Sequence, residues 1–397
     1  MADQYRRADW LEDRLFDVLT FYYPAAIDGE HGGYVAQLEE ETGEIYDADS
    51  KHLVGTTRYV VNFCLGARFD GEEPWLEAAE HGVEFLRNEH FDPETGGYDW
   101  LLDGTETVDR RRVCYGHAFV LLAYARAHEA GIDGAREGIE DVYDLLMTHF
   151  WEPDQHLCQS EFDGDFADAS DYRGQNANMH TCEAMLAAHE ATGEERYLDR
   201  AREIAHALTV ELAAEHDGRL WEHYTENWDH DLEYNREQPK DLFRPWGYQP
   251  GHHVEWAKLL AVLDRYDDVD WALDRAEELF DIAIEHGWDE EFGGFYYTFD
   301  RDGDPIVADK YGWPVAEGIG AAAALYERTG DNAYLEWYDR LWDYAQDHLS
   351  APGGNFYFKL TRENDPIETD EGPGVEPGYH PIGACFEGLR SLSGTGQ

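Results

Sequence analysis

The chain has 397 residues, and 30 Lys and Arg face 86 Asp and Glu, a formal charge of −56 at pH 7. A balance that acidic excludes nucleic acid as a partner, because phosphate binding needs clustered Lys and Arg. Hydrophobic residues make up 43%, enough for a large core, and no apolar run approaches membrane-spanning length.

The acidic residues are spread along the whole chain rather than gathered in a tail. Such a charge repels itself in dilute salt. It points to a cytoplasmic protein of a high-salt cell, where counter-ions screen the repulsion. The first residues, MADQYRRADWLEDRLFDVL, lack the apolar core of a signal peptide. The cysteines are Cys64, Cys114, Cys158, Cys182 and Cys385. They are odd in number, widely spaced and without a CxxC pair, which argues against a disulfide framework or a zinc site.

Taken in order, the chain is dominated by helical patterns. WLEDRLFDVLTFYY, RYVVNFCLGARF, WLEAAEHGVEFLRNEHF, HAFVLLAYARAHEAG and YLDRAREIAHALTVEL all carry apolar residues at three- and four-residue steps. Between them come short stretches rich in Gly, Asp and aromatics: HGGYVAQL, ETGGYDWLL, DQHLCQSEF, HDGRLWEHY, EFGGFYYTF and PGGNFYFKL. These read as turns leading into strand-like ribbons. They recur roughly every 60 to 75 residues, the length of a helix–turn–helix unit with a decorated loop. Six such units without linkers predict an all-α fold, an (α/α)6 barrel of six helical hairpins with short β-ribbon loops, as a single domain over residues 1–397. An open solenoid of helix pairs is the alternative.

A second series follows the ribbons. Arg58, Tyr115, His180, His252 with Glu255, Glu317 and His380 stand roughly 57 to 72 residues apart, one set per unit. Several lie beside helix-start signals. Pro250 and Gly251 read as the turn before a helix, Pro314 precedes Glu317, and Pro381 follows His380, which reads as lying just before the last helix. If each begins an inner helix, all six positions sit at one end of a barrel and converge on one pocket.

Each residue also has a plainer reading. Arg58 is on an amphipathic helix, where a lone arginine is ordinarily a surface or ion-pair residue. In register with the others it is a donor to sugar hydroxyls or a developing oxyanion. Tyr115 and His117 flank a helix start, with Tyr115 a pocket residue and His117 equally a core residue. Asn176, His180 and Glu183 form a polar ladder entering an apolar helix. His180–Glu183 and His252–Glu255 share an i, i+3 spacing, which raises a metal site, but the Glu-before-His order of helical di-metal sites is reversed here. The expected role of each Glu is to hold its neighbouring imidazole or a substrate hydroxyl. Trp313 and Glu317 surround another helix start. Thirteen tryptophans and 25 tyrosines offer faces for stacking sugar rings.

Together KHLVGTTR, CYGHAF, NANMHTCEA, PGHHVEW, KYGWPVAE and GYHP resemble the N-acylglucosamine 2-epimerase family, in that family's order across nearly the whole chain. Glu255 followed by Trp256 looks more like its mannose and sulfoquinovose isomerase branch than its epimerase branches. One departure is Val54, at a position four before the arginine where the family often has a tryptophan that packs on the sugar. The resemblance implies an (α/α)6 barrel, a monosaccharide substrate, and neither a metal nor a redox cofactor.

The expected chemistry is aldose–ketose isomerisation of a hexose such as D-mannose through a cis-enediol, by histidine acid–base catalysis. His380 is expected to move the proton between C2 and C1. His252 is expected to assist ring opening and shuttle protons at O1 and O2, and Arg58 to stabilise the enediolate. Glu255 and Glu317 would orient His252 and the hydroxyls. Tyr115, Asn176, His180, Glu183 and Trp313 would serve the substrate site. Returning the proton to the opposite face of C2 would make the same parts a 2-epimerase. A glycoside hydrolase would need two carboxylates at a set separation, and a sugar-binding module would leave the histidines idle.

Overall fold

The helical periodicity becomes twelve α-helices among the described residues of a computed structural model. It describes residues 4–70, 74–241, 243–267, 269–367 and 376–392. In chain order the helices are α1 (Ala8–Tyr22), α2 (Leu53–Asp70), α3 (Trp75–Phe85), α4 (Cys114–Glu129), α5 (Ala135–Leu145) and α6 (Gln175–Thr192). Then come α7 (Glu195–His206), α8 (Pro250–Tyr266), α9 (Ala272–Gly287), α10 (Gly312–Thr329), α11 (Asn332–Tyr344) and α12 (Tyr379–Leu392).

The helices are of two kinds. α5 buries Ala135, Ile139, Val142 and Tyr143, one stripe of an amphipathic surface. By contrast α2 buries every residue from Leu53 to Gly66, and α10 every residue from Pro314 to Leu325. Arg58 therefore lies inside, on a helix surrounded on all sides, and the surface reading of it falls. The start of α8 also differs from the expected turn. Pro250 is the first helical residue, where its missing N–H costs nothing, and Gln249 is the N-cap. His380 is the second residue of α12 rather than a residue before it.

The chain forms two compact units. One takes the described residues of 1–17, 205–370 and 380–397, the other those of 18–204 and 371–379. In the second, α2 packs on α4 and α4 on α6, while α3 and α5 cover α2 and α4. In the first, α8 packs on α10, with α9 and α11 covering them, and Arg265 of α8 donates to Glu387 of α12 at 2.7 Å.

The Gly-rich stretches form the tight turns read from the sequence. Asp28, Asp92 and Asp289 each accept backbone N–H bonds within their own turn. Gly33 and Gly294 take positive φ beneath the rings of Phe85 and Tyr344. A Cβ would meet those rings at 2.7 and 2.5 Å, so only glycine fits.

Two repeated devices tie these turns to the buried helices. Two residues before the starts of α2, α4, α6 and α10 stand Lys51, Arg112, Arg173 and Lys310, all buried. Lys51 pairs with Asp28 at 2.6 Å, Arg112 with Asp92 and Asp99 at 2.6 Å each, Arg173 with Glu152 at 2.9 Å and Lys310 with Asp289 at 3.3 Å. The fourth residue of α4, α6 and α8 then pins a ribbon. His117 donates from Nδ1 to Val113 O at 2.8 Å and accepts the Tyr98 N–H at Nε2, 3.1 Å. His253 repeats this with Gln249 O at 2.7 Å and the Leu220 N–H at 3.1 Å. Asn178 does the same with an amide, donating to Gly174 O and accepting from the Cys158 N–H at 2.7 Å. Of its two readings His117 thus takes the core one. Burial pushes both histidines down to about 4, so they are neutral near pH 7.

Candidate active site

The starts of the buried helices also set a register for the polar residues. The second positions of α2, α4, α6, α8, α10 and α12 are Val54, Tyr115, Asn176, Gly251, Trp313 and His380. The sixth positions are Arg58, Phe119, His180, Glu255, Glu317 and Ala384. Residues four apart share a helix face, so each helix presents one stripe near its N-terminus. Every residue expected at the site falls in these two layers except His252, third in α8, and Glu183, ninth in α6.

In the unit that holds α8, α10 and α12, two buried histidines are each tied to a buried carboxylate. His252 Nδ1 lies 2.8 Å from Glu222 Oε2, with the Gln249 amide 3.1 Å from the same nitrogen. His380 Nδ1 lies 2.7 Å from Glu317 Oε1, and the second oxygen of Glu317 accepts from Lys258. A carboxylate can only accept, so each Nδ1 carries the proton and each Nε2 is the basic nitrogen. The indole of Trp313 stands between them, its ring centroid 5.2 Å from that of His252 and 5.8 Å from that of His380. It lies flush on α8 because residue 251 is glycine, where a Cβ would come within 2.3 Å of Cη2.

This geometry changes two expected roles. The carboxylate hydrogen-bonded to His252 Nδ1 is Glu222, which the expectation did not include, and Glu317 is hydrogen-bonded to His380. Glu255 instead stands with the second pair. Its carboxylate, that of Glu317 and a His380 ring nitrogen lie within 4.8 Å of one another. Lys258 donates to Glu317, so a positive charge stands beside these groups. Glu222 escaped the sequence reading because it is one of 86 acidic residues, inside a stretch read only as a ribbon.

In the other unit, the Arg58 guanidinium lies between the rings of Phe119 and Tyr379, 4.7 and 4.8 Å from their centroids. It donates to Glu376 and, at 3.2 Å, to the Tyr115 hydroxyl. Burial works against its charge, but Glu376, Tyr115 and Tyr379 more than reverse this and hold it firmly protonated. The His180–Glu183 pair forms as its spacing predicts, with Nδ1 2.9 Å from Oε2, and Tyr379 donates to the other Glu183 oxygen at 2.8 Å. The rings of Tyr115 and Phe119 pack on His180 at 5.0 and 4.7 Å. Among the described residues the side-chain oxygen of Asn176 is buried and finds no partner, an acceptor that a sugar hydroxyl would satisfy. Val54 is buried in its helix where an indole was the family expectation.

The N-acylglucosamine 2-epimerase family model matches residues 32–384. A D-mannose isomerase of Marinomonas mediterranea is 41% identical over 386 residues, 97% of each chain. A crystal structure of D-mannose isomerase superposes with a TM-score of 0.94 at 40% identity, over 97% of this chain and 98% of that one. The cellobiose 2-epimerase of Spirochaeta thermophila superposes with a TM-score of 0.85 at 23% identity, over 97% and 96% of the two chains, a likeness of fold alone. These likenesses give the fold as the (α/α)6 barrel expected from the six units. No described helix is long and apolar enough to cross a membrane.

Proposed function

Because this chain belongs to the N-acylglucosamine 2-epimerase family and is a sugar isomerase or epimerase, we propose that it interconverts D-mannose and D-fructose through a cis-enediol. One observation carries this reading: two buried histidines, His252 and His380, each hold an Nδ1 proton against a carboxylate and flank the face of Trp313. A 1,2-isomerisation needs two such groups. His380 Nε2 removes the C2 proton of the open-chain aldose and returns it to C1. His252 Nε2 carries the hydroxyl proton from O2 to O1, so the aldehyde becomes the C1 alcohol and C2 the ketone. Each imidazolium formed on the way is balanced by its own carboxylate, Glu317 or Glu222. Trp313 offers the face on which the sugar packs.

Arg58 is assigned to the enediolate oxygen, since it stays charged while buried. Tyr115, Asn176, His180 and Glu183 are assigned to hydroxyls, and Glu255 to the proton-transfer cluster with His380. No metal or redox cofactor enters this chemistry. The acidic composition supports a place in the cytoplasm of a cell that keeps concentrated salt.

The test is proton NMR of the purified protein with D-mannose in D2O at molar KCl. Fructose with deuterium at C1, taken up where the proton on His380 exchanges with solvent before its return, is the expected result. Glucose appearing first, with deuterium at C2 and no fructose, would make the chain a 2-epimerase instead.

A further inference from the structure

Lys258 lies on α8, one turn beyond Glu255. Its ammonium donates to Oε2 of Glu317, while Oε1 of the same carboxylate holds His380 Nδ1 at 2.7 Å. Both side chains are largely out of water, 13% exposed for Lys258 and 3% for Glu317. The lysine stem runs along α10 where residue 320 is glycine. A Cβ there would stand 3.2 Å from Lys258 Cδ and 3.7 Å from Glu387 Cβ of α12. A lysine, a glutamate and a histidine from three helices thus form one chain of bonds.

Resting on the isomerase reading, we propose that Lys258 is a positioning residue of the reaction, which keeps Glu317 ionised and fixed so that His380 presents Nε2 as the transferring nitrogen. A buried carboxylate without a cation tends to take up a proton, and a neutral acid would no longer hold the Nδ1–H. The ammonium also sets how readily the Glu317–His380 pair takes up a proton. Other charged groups of the same unit stand near the pair. Glu255 of α8 has a carboxylate oxygen within 4.8 Å of both, and it is the same in every variant. Arg265 and Glu387, farther along α8 and α12, pair with each other, and Glu387 also binds Arg390. His252 lies across Trp313 and keeps its own carboxylate, Glu222.

Removing the ammonium takes one positive charge from the group. Whichever partner then binds the proton, uptake becomes easier and the titration moves to higher pH. The experiment is an NMR titration of the imidazole carbons of 13C-histidine protein in molar KCl, with His380 assigned by its loss in His380→Asn. Lys258→Met is expected to raise the His380 midpoint on the order of one pH unit. Lys258→Gln, which keeps an N–H donor without the charge and tests the point if the Met variant does not fold, is expected to do the same, and Lys258→Arg to restore the wild-type midpoint. The acid limb of the kcat profile should move with it. A midpoint in the charge-free variants equal to wild type would overturn the proposal, since a merely structural lysine would lower activity without moving the titration. The readout needs no sugar. A shifted midpoint in a protein that turns over no hexose would sink the isomerase reading and leave the relay standing.

Discussion

Glu222 and His252 lie 30 positions apart in the chain, and Oε2 of one sits 2.8 Å from Nδ1 of the other. In the proposed mechanism the carboxylate fixes the tautomer and balances the imidazolium formed during proton transfer. Glu222→Gln removes that charge while nearly preserving shape, so kcat on mannose should fall by about 10²- to 10⁴-fold with the fold intact by circular dichroism. His252→Ala and His380→Ala should each fall at least as far. Near-full activity in any of the three would take that residue out of the mechanism.

Arg58 is held by its planar shape as much as by its charge, between Phe119 and Tyr379 and forked to Glu376 and Tyr115. Lysine keeps the charge but neither stacks flat nor forks. Arg58→Lys should therefore lower kcat/KM at least about tenfold, and Arg58→Met further. Equal activity of Lys and Arg at this position would show that charge alone suffices.

His117 and His253 link stability to pH. Unfolded, both titrate near the ordinary 6.5. Folded, burial pushes them down to about 4. Between those values the unfolded chain binds protons that the native chain does not, so stability falls as pH drops from about 6.5 to 4, by about 3 kcal/mol for each. Asn178 performs the same pinning without titrating. His117→Asn should thus flatten the fall of melting temperature with acid, while His117→Ala should flatten it too but start from a lower melting temperature at neutral pH. An unchanged slope in the Asn variant would show that other groups govern the acid loss.

Helices and their spacing were legible because apolar steps of three and four are local. The recurrence of the polar positions was legible as a repeat, but their sorting into two layers was not, because it needs helix starts that the sequence reading placed differently at Pro250 and His380. Partners brought by folding were not legible. Glu222 and Glu376 carry no local mark, and Lys258 reads as an ordinary helix lysine. His252 and His253 are neighbours in sequence, but a step of about 100° around the helix gives one to Glu222 and the other to a backbone N–H. Val54 was legible as a departure, and it follows a histidine, His52, that burial pushes down to about 3.

The buried ion pairs before the helices make a separate prediction. Lys51→Met takes from the buried Asp28 its lysine partner and should cost about 3 kcal/mol in unfolding experiments. Adding Asp28→Asn, which removes the charge and keeps an acceptor for the Glu30 N–H, should recover much of that loss. A single variant within about 0.5 kcal/mol of wild type would mean that water reaches Asp28.

Salt should act through the surface. At 1 M the screening length is about 3 Å, so the repulsion behind a charge of −56 is largely removed. The melting temperature should rise steeply from dilute buffer to molar KCl. We also propose that the chain is one domain, so a single calorimetric transition is expected at high salt. Full stability in dilute buffer would remove the high-salt reading, and two separated transitions the single domain.

The cations placed two residues before the helices divide the labour of charge in this molecule. Lys51, Arg112 and Lys310 are shut away from solvent, and their partners are local carboxylates that bulk ions hardly reach. On the high-salt reading, adaptation to brine can thus proceed by repainting the exterior alone. An engineer wanting a version for fresh water could exchange exposed Asp and Glu for neutral or basic residues and leave the inner scaffold of lysines and arginines untouched.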